Sequence, residues 1–376
     1  MHGECKTPGG KLIAVDLMVV DGLIQSARLS GDFFIHPETH AASVFQQLTQ
    51  TIQGQSVALS LGEWKTRLHA ALPWDVELLG SSTDALAVAL CRARGDAVEL
   101  ESATTSHEIP LSTHELAARL IPWTQCTWHL LPEVALAPAM NVALDEVLCQ
   151  QVAQGRRPAT LRFWRWTEQA VILGRCQSVL NEVDTQAAEK LGIRIVRRMT
   201  GGGAMFLQPH GAITYSLYLP EKLLAGIPLR QSYQVCESWV IDGLRSLGVD
   251  AFHAPLNDIA CSMGKIGGAA QARRNGVVLH HTTMAYDMDP GEMVRVLRIG
   301  REKLSDKPAI ASAAKRVSPI VRQTGLAREE VVARLFASFQ QRFGGEVSSL
   351  RNEEMQEAEQ LVASKYGNEA WTGEIR

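Results

Sequence analysis

The first ninety or so residues alternate apolar and polar positions in a pattern that predicts a small α+β unit. The stretch KLIAVDLMVVDGLIQSARLSGDFFI contains two strand-like runs, and the Asp21-Gly22 pair between them is typical of a tight hairpin turn. Apolar residues then recur at helical spacing, which predicts helices over 41–52, around 61–72 and within DALAVALCRAR. We therefore expect residues 1–95 to form a unit of their own.

The pattern weakens after Arg94. The segment GDAVELESATTSHEIPLSTHE is polar, rich in Ser and Thr, and interrupted by a proline. Such a composition is typical of a linker between folded units. We assign residues 96–122 to this linker and expect one helix after the polar stretch.

Strand-like and helical segments are interleaved from Trp123 to the end of the chain. Helices are predicted over 139–154, within EVDTQAAEKLG, from about 228 to 247 and over most of 328–364. Strands are predicted in TLRFWRWT, QAVILGRC, IRIVRRM, AMFLQ, AITYSLYL, DIACSM, KIGGAAQAR and GVVLHHTTMAYDMD. Because clusters of strands are separated by helices and many gaps have hairpin length, we expect an α+β fold with a mixed or antiparallel sheet.

Composition and charge narrow the class of protein without naming a function. The 376 residues carry 37 Lys and Arg against 40 Asp and Glu, and this net charge of −3 gives no long-range attraction to nucleic acid or an anionic membrane. The seven cysteines are scattered and form no CxxC pair, which argues against a disulfide framework or a zinc site. The start MHGECKTPGGK lacks the apolar core of a signal peptide, so we expect a cytoplasmic protein.

The densest chemical signal is RRMTGGG at residues 197–203. A predicted strand leads into two arginines, a hydroxyl and three consecutive glycines, so backbone N–H groups and guanidinium groups can surround an anion such as a phosphate. The pattern lacks the GK[ST] of a Walker loop and the GxGxxG of a Rossmann turn. The alternative interpretation is a glycine hairpin with solvated arginines.

A second cluster, at residues 257–271, places one lysine among small residues. Lys265 lies in GKIGGAAQ, shortly after Asn257 and Asp258, and its ammonium can offset negative charge that develops during acyl or adenylyl transfer. The alternative is a surface lysine beside a β-bulge. The pair His280-His281 has no carboxylate at metal-ligand spacing, so we predict no zinc there.

Two cysteines near these clusters are candidate nucleophiles. Cys261 follows Asp258 by three residues, and Cys176 follows Gly174-Arg175. A thiolate at either position can accept an acyl group. A buried, inert thiol is the interpretation we favour for both.

Together these motifs resemble those of the lipoate–protein ligases, within the biotin/lipoate ligase superfamily. The blocks that match in the family's order are NVALDE at 141–146, LRFW, AVILGRCQ, EVD, RRMTGGGAMF at 197–206, NDI at 257–259, GKIGGAAQAR at 264–273 and HHTT. Lys303, Leu304, Lys307 and AKRV at 314–317 resemble a lysine-rich segment of that family. The resemblance implies a catalytic domain of the biotin/lipoate ligase type over residues 123–376.

The N-terminal unit also resembles a known part of these ligases. KTPGGKL at 6–12 and GDFF at 31–34 are similar to the small accessory domain that assists formation of the acyl-adenylate. In the familiar bacterial single-chain enzymes this domain follows the catalytic one, whereas here it comes first. The linker over 96–122 is suited to docking it on the same face.

The resemblance implies a two-step, ATP-dependent reaction. ATP and lipoate or octanoate form an acyl-adenylate, and a lysine of a lipoyl-carrier protein then takes the acyl group. The carrier is expected to be a lipoyl domain, a glycine-cleavage-type protein or a specialised lipoate-binding protein. ATP chemistry generally requires Mg²⁺. We expect a monomer, with neither nucleic acid nor a membrane as partner.

The same resemblance implies roles for individual residues. Lys265 is expected to be the catalytic residue, in contact with carbonyl and phosphate oxygens. Asp258 is expected to bind Mg²⁺. Arg197, Arg198 and Lys265 are expected to converge on one phosphate. The residues expected to surround the substrate or adenylate are Arg198, Thr200, Gly201, Gly202, Gly203, Phe206, Asn257, Asp258, Gly267 and His281.

Departures from the family's pattern leave two alternatives to the favoured ligase. Leu207 stands where many ligases have a histidine, and HTT at 281–283 replaces the familiar HGT. One alternative is a cysteine-dependent octanoyl- or lipoyl-transferase acting between carrier proteins. Such transferases usually lack the accessory domain, and residues 251–256 lack the cysteine expected upstream of NDI. The other alternative is a non-catalytic protein that binds a lipoyl group or a nucleotide.

Overall fold

The structure is a computed structural model that describes residues 1–8, 10–100, 110–298 and 317–375. In these ranges the chain packs into two regions, which we call the N-terminal unit (residues 1–100) and the C-terminal unit (residues 110–375). Part of the linker, residues 101–109, lies outside the described residues. So do Lys303, Lys307 and AKR at 314–316 of the lysine-rich segment.

The N-terminal unit contains a three-stranded and a two-stranded antiparallel sheet, packed with helices. Its elements are β1 (His2–Lys6), β2 (Leu12–Val20), β3 (Leu23–Gly31), β4 (Phe34–His36), α1 (Ala41–Ile52), α2 (Leu61–Ala71), β5 (Glu77–Leu79) and α3 (Thr83–Ala93). The predicted hairpin and helices are confirmed. Asp21 and Gly22 both have positive φ, at 50° and 77°, which is the backbone that a two-residue turn between twisted strands requires. Ser82 begins α3 by accepting a hydrogen bond from the Ala85 N–H at 3.1 Å.

The C-terminal unit contains a larger, mixed sheet. Its helices are α4 (Thr113–Thr124), α5 (Pro138–Ala153), α6 (Val179–Glu182), α7 (Thr185–Lys190), α8 (Leu229–Ser246), α9 (Pro290–Val296), α10 (Ile320–Thr324), α11 (Arg328–Phe343), α12 (Asn352–Leu361) and α13 (Glu369–Thr372). Its strands are β6 (Trp128–Leu136), β7 (Ala159–Trp166), β8 (Ala170–Leu173), β9 (Arg194–Arg197), β10 (Met205–Leu207), β11 (Ala212–Pro220), β12 (Phe252–Ala254), β13 (Asp258–Cys261), β14 (Gly264–Arg274), β15 (Val277–Ala285) and β16 (Glu346–Val347).

Strand order confirms the predicted α+β class. Within the described residues the large sheet has the order β12-β13-β14-β15-β11-β7-β6-β16. The strands β6 and β7 run parallel, as do β6 and β16, and the other neighbours are antiparallel. A small sheet, β10-β8-β9, lies beside it.

Helices cover both faces of the large sheet. Phe163 points to the face that packs on α8 and α11, where it shares a core with Trp239 and Phe339. Because side chains alternate along a strand, Trp164 points to the other face, where it packs with Leu144 of α5. These two layers bury the middle of the sheet and leave the β13–β14 end as its margin.

One predicted helix is divided in the structure. The segment EVDTQAAEKLG was expected to form a single helix, but α6 ends at Glu182 and α7 begins at Thr185. The break occurs because the side chain of Asp184 accepts a hydrogen bond from the Ala187 N–H at 2.9 Å and caps a new helix. Across the described ranges, no helix combines the length and the apolar character needed to cross a membrane.

Candidate functional site

The glycine loop, residues 198–203, connects β9 to β10 at the margin of the small sheet. Gly202 has a φ of +88°, a conformation that residues with a side chain rarely adopt. A Cβ on Gly174, in the loop after β8, would collide with the carbonyl oxygen of Gly202. The two loops therefore pack backbone against backbone, and this close approach requires glycine.

The two arginines before the glycines are buried. The Arg197 guanidinium donates to backbone carbonyl oxygens of surrounding loops at 2.6 to 2.9 Å. Arg198 donates to the carbonyl oxygens of Ile172 and Gly203, both at 3.0 Å. Burial lowers the pKa of both groups to about 10, so both remain charged at neutral pH. Both guanidinium groups hold loops together by these bonds, and their convergence with Lys265 on one phosphate stays a prediction.

A chain of hydrogen bonds holds the glycine loop to β15 and α5. Arg198 Nε donates to Thr200 Oγ1 at 2.9 Å, and Thr200 Oγ1 lies 2.8 Å from His281 Nε2. The other ring nitrogen of His281 lies 2.8 Å from Asp145 Oδ2. The arrangement is self-consistent when Nδ1–H donates to the carboxylate and Nε2 accepts the threonine hydroxyl. Three predicted site residues, Arg198, Thr200 and His281, thus form a buried chain of hydrogen bonds that ends at Asp145. We call this chain the Asp145 relay.

Asp145 ends this relay, and the sequence assigned it no role. Its Oδ1 accepts hydrogen bonds from Ser216 Oγ at 2.9 Å and Tyr218 OH at 2.6 Å. Burial and the adjacent carboxylate hold the pKa of Tyr218 well above its usual range, so the hydroxyl remains a donor. The available signal was a carboxylate on α5 between apolar residues, 142–144 and 147–148, which are also buried. A charge in such a position is retained only when it has partners.

Lys265 lies at the start of β14, opposite the short strand β13. Its Nζ is 2.8 Å from Asp258 Oδ1, and the lysine side chain is 34% exposed whereas the carboxylate is 5% exposed. A β-bulge between Ile259 and Ala260 shifts the register of this pair. A half-buried ammonium therefore stands at the end of the sheet with one side open to solvent.

Neighbouring small residues allow this lysine to lie along the strand. A Cβ on Gly268 would be 3.0 Å from Lys265 Nζ. Asn257 is tied to the same strand, because its side-chain amide donates to the Ala269 carbonyl and its own carbonyl accepts the Ala269 N–H at 2.8 Å. Gly267 faces β15, where a Cβ would be 2.6 Å from the Thr283 carbonyl oxygen. Asn257 and Gly267 thus shape the backbone around Lys265.

Other residues singled out in the sequence lie in the core. Phe206 is 4% exposed and packs with the apolar residues of the small sheet. Leu207 is fully buried against Trp164 and Trp166, a position where a leucine fits without polar partners. His280 is fully buried too, and burial holds its pKa well below its usual range. It therefore remains neutral, with Nδ1 3.0 Å from Gln271 Nε2 and Nε2 3.1 Å from Thr282 Oγ1.

Asp258 was expected to bind Mg²⁺, but among the described residues no other metal-binding side chains cluster with its carboxylate. Among the described residues, no three His, Cys, Asp or Glu side chains lie close enough to hold a metal ion. The Asp258 carboxylate lies against the Lys265 ammonium instead. These residues do not fit a metal held by the protein's own side chains.

All seven cysteines lie in the described ranges. Cys261 is set apart from Lys265 by its position, and burial raises the thiol pKa of the other six. Cys261 belongs to the same core as Ile266, which is adjacent to Lys265 on a strand and therefore points to the opposite face. Burial raises the pKa of Cys176 to about 12. Burial likewise raises the pKa of the thiols of Cys5, Cys91, Cys126, Cys149 and Cys236.

The N-terminal unit covers the outer side of the glycine loop. Phe34 packs on the backbone of Gly201 and Gly202, and Asp32 lies beside Gly203. The GDFF motif was known from the sequence, but its contact with the glycine loop was not predicted. The candidate site is therefore built by both units.

The family model for the lipoyl protein ligase A/B catalytic domain matches residues 137–340. The chain belongs to this family. The matched residues include the glycine loop, the Asp145 relay and Lys265. The N-terminal unit precedes the match.

Similar proteins within the family are octanoyltransferases by name. The octanoyltransferase LipM of an Exiguobacterium species is 30% identical over 275 residues, which is 66% of this chain and 98% of that protein. LipM of Symbiobacterium thermophilum is 30% identical over 273 residues, again 66% and 98%. These relatives contradict the ATP-dependent ligase that the motifs favoured. They agree with the octanoyl transfer of the first alternative, whose dependence on a cysteine stays a prediction. The motifs misled because they describe the acyl and lysine chemistry, not the source of the acyl group.

Solved structures confirm the lipoate ligase fold. A bi-partite lipoate protein ligase of Thermoplasma acidophilum, described with its E2 lipoyl domain, has a TM-score of 0.58 and 30% identity, covering 66% of this chain and 97% of its own. A lipoate-protein ligase A bound with ATP has a TM-score of 0.57 and 26% identity, covering 66% and 99%. About a third of this chain therefore lies outside each match.

Proposed function

We propose that this protein is an acyltransferase that moves an octanoyl-type group from a thioester on one carrier protein to a lysine of a lipoyl-carrier protein. The observation that carries the proposal is the match of two thirds of the chain to octanoyltransferases along 98% of their length. The acceptor class is supported by a similar structure that is described with an E2 lipoyl domain. The N-terminal unit is an accessory to this activity.

The reaction requires positive charge where an oxyanion forms. The acceptor amine attacks the thioester carbonyl, the C–S bond breaks, an amide forms, and the proton lost from the amine leaves with the sulfur as a thiol. Negative charge develops on the carbonyl oxygen during the attack. The Lys265 ammonium, oriented by Asp258 at 2.8 Å, is the group that stabilises this charge.

In this proposal no thiol of the chain carries the acyl group. Cys261 faces the core on the side of the sheet away from Lys265. Burial raises the pKa of Cys176, in the loop after β8, to about 12, which disfavours its thiolate at neutral pH. The donor and acceptor proteins therefore meet at Lys265, and the transfer is direct.

The test uses the full chain, an octanoyl thioester of an acyl carrier protein and an apo lipoyl domain, without ATP. We expect the lipoyl domain to gain the mass of one octanoyl group. Lys265→Ala should lower the rate by about 10² to 10³, the usual loss when one stabilising group at an oxyanion is removed. Lys222→Ala, an exposed lysine outside the candidate site, is the matched control and should keep the wild-type rate.

Two results would contradict the proposal. One is the absence of any mass gain from the thioester when free octanoate with ATP produces it. The other is an unchanged rate in Lys265→Ala, which would remove this lysine from the reaction.

A further inference from the structure

Phe34, at the start of β4, reaches from the N-terminal unit into the candidate site. Its side chain is buried, and it packs directly on the glycine loop. A Cβ on Gly201 would lie 2.7 Å from Phe34 Cδ1, and a Cβ on Gly202 would lie 3.1 Å from Phe34 Cζ. The ring thus occupies space that side chains at 201 and 202 would need.

The surroundings of this ring are apolar, and small residues contribute much of them. Its centroid lies 5.9 Å from that of the Tyr233 ring. The buried cluster around the ring consists of Leu79 from the N-terminal unit and Tyr233, Leu256, Ala269 and Ala270 from the C-terminal unit. The two alanines and the two glycines leave room, and Phe34 fills it.

This cluster adjoins Lys265. The ammonium lies over Gly268, and the next two residues of β14 are Ala269 and Ala270, which contact the Phe34 cluster. An acyl carbonyl held at Lys265 would therefore have its alkyl chain beside the cluster. Apolar burial is what binds such a chain, so the first large side chain along its path limits its length.

We propose that Phe34 is a wall of the acyl site and limits the chain length that the enzyme accepts. The inference rests on the proposed function, since it assumes an acyl group at Lys265. Phe33 has a different role: it stacks on Phe45 inside the N-terminal core, with ring centroids 6.0 Å apart. The family model matches residues 137–340, so Phe34 lies outside the matched residues.

The test compares Phe34→Ala with Phe45→Ala, which removes an equal ring from the same unit away from the glycine loop. Octanoyl and dodecanoyl thioesters compete for transfer to an apo lipoyl domain, and the products are read by mass. We expect the dodecanoyl-to-octanoyl ratio to rise at least tenfold in Phe34→Ala and to stay unchanged in Phe45→Ala. Each methylene newly buried strengthens binding about fourfold. Phe34→Trp should lower the same ratio.

An active Phe34→Ala enzyme with the wild-type ratio would overturn the inference. If Phe34→Ala does not fold, Phe34→Leu replaces it, with a smaller rise expected and an unchanged ratio counting against the wall. If wild-type enzyme transfers nothing from a thioester, the proposed function fails. Calorimetric binding of free octanoate and dodecanoate then tests the wall alone: tighter dodecanoate binding confined to the Phe34 variant supports it, and equal binding refutes it.

Discussion

At the scale of single residues, the two arginines of the glycine loop motif and the lysine at the start of β14 have different environments. Arg197 and Arg198 are buried, and each guanidinium satisfies several backbone carbonyls. A guanidinium is suited to this because it is weakly hydrated and presents donors in a planar fork, whereas an ammonium is a compact, strongly hydrated charge. Lys265 accordingly keeps one side in solvent. The sequence shows the residue types, but it did not show that both arginines are buried while the lysine is half-exposed.

Cys261→Ala tests the direct transfer at this scale. Because the thiol faces the core and not Lys265, we expect the octanoyl transfer rate to stay within about twofold of wild type, with a loss of stability of roughly 1 kcal/mol from the small cavity. Steady-state transfer and urea unfolding measure the two effects. Cys236→Ala, in the same core on α8, is the control and should behave alike. Loss of transfer in folded Cys261→Ala alone would contradict direct transfer.

At the scale of elements, α5 is joined to the sheet by one carboxylate. Asp145 on α5 accepts from Ser216 and Tyr218 of β11 and from His281 of β15, so three elements meet at one side chain. Through His281 the same carboxylate reaches Thr200 in the glycine loop. The position of the glycine loop therefore depends on the Asp145 carboxylate, which lies on α5.

Asp145→Asn should lower the stability of the folded chain. An asparagine that still accepts from Ser216 and Tyr218 turns its NH₂ toward His281, whose ring must then reverse its tautomer and donate to Thr200. We expect the free energy of unfolding to fall by about 2–4 kcal/mol, since hydrogen bonds to a buried charge are lost. Urea denaturation measures it, and Ser216→Ala should cost only about 1 kcal/mol. A loss below 1 kcal/mol in Asp145→Asn would contradict this account.

The same elements show how far sequence reasoning extends. The hairpin at Asp21-Gly22 and helices such as 41–52 were predicted correctly, because turn chemistry and helical periodicity are local. The partners of Asp145 were not predicted, since His281 is 136 residues away in the chain. The split of α6 from α7 was missed because one capping side chain outweighed a continuous apolar pattern.

At the scale of the whole molecule, the candidate site depends on contact between the N-terminal unit and the C-terminal unit. The glycine loop is covered by residues from the first hundred, and the lysine strand comes from the second unit. Motifs identified the family, but similar proteins include both octanoyltransferases and lipoate protein ligases. Comparison with octanoyltransferases was needed to correct the donor.

Two partly buried carboxyl groups lie where the units meet. Glu38, after β4, has an Oε2 atom without a hydrogen bond among the described residues, and it borders Gln271 of β14. Burial raises its pKa to about 7, although Arg274 opposes the shift. Burial also raises the pKa of Glu182 to about 7, and the nearby Asp32 of the N-terminal unit adds to the rise. Both carboxyls are therefore partly ionised at neutral pH in an environment that disfavours their charge.

Both carboxyl groups have a pKa of about 7 in the folded chain, against an ordinary value of 4.5 in the unfolded chain. The folded chain therefore binds these protons more tightly, and the free energy of unfolding that they contribute is lost as pH rises from about 4.5 through about 7. The double variant Glu38→Gln with Glu182→Gln stays neutral at every pH. Relative to wild type, its free energy of unfolding in urea should be about 2–5 kcal/mol higher at pH 8, with a much smaller difference near pH 5. Glu346→Gln, on the exposed strand β16, should follow the wild-type profile. If the double variant parallels wild type from pH 5 to 8, these carboxyls do not couple folding to pH.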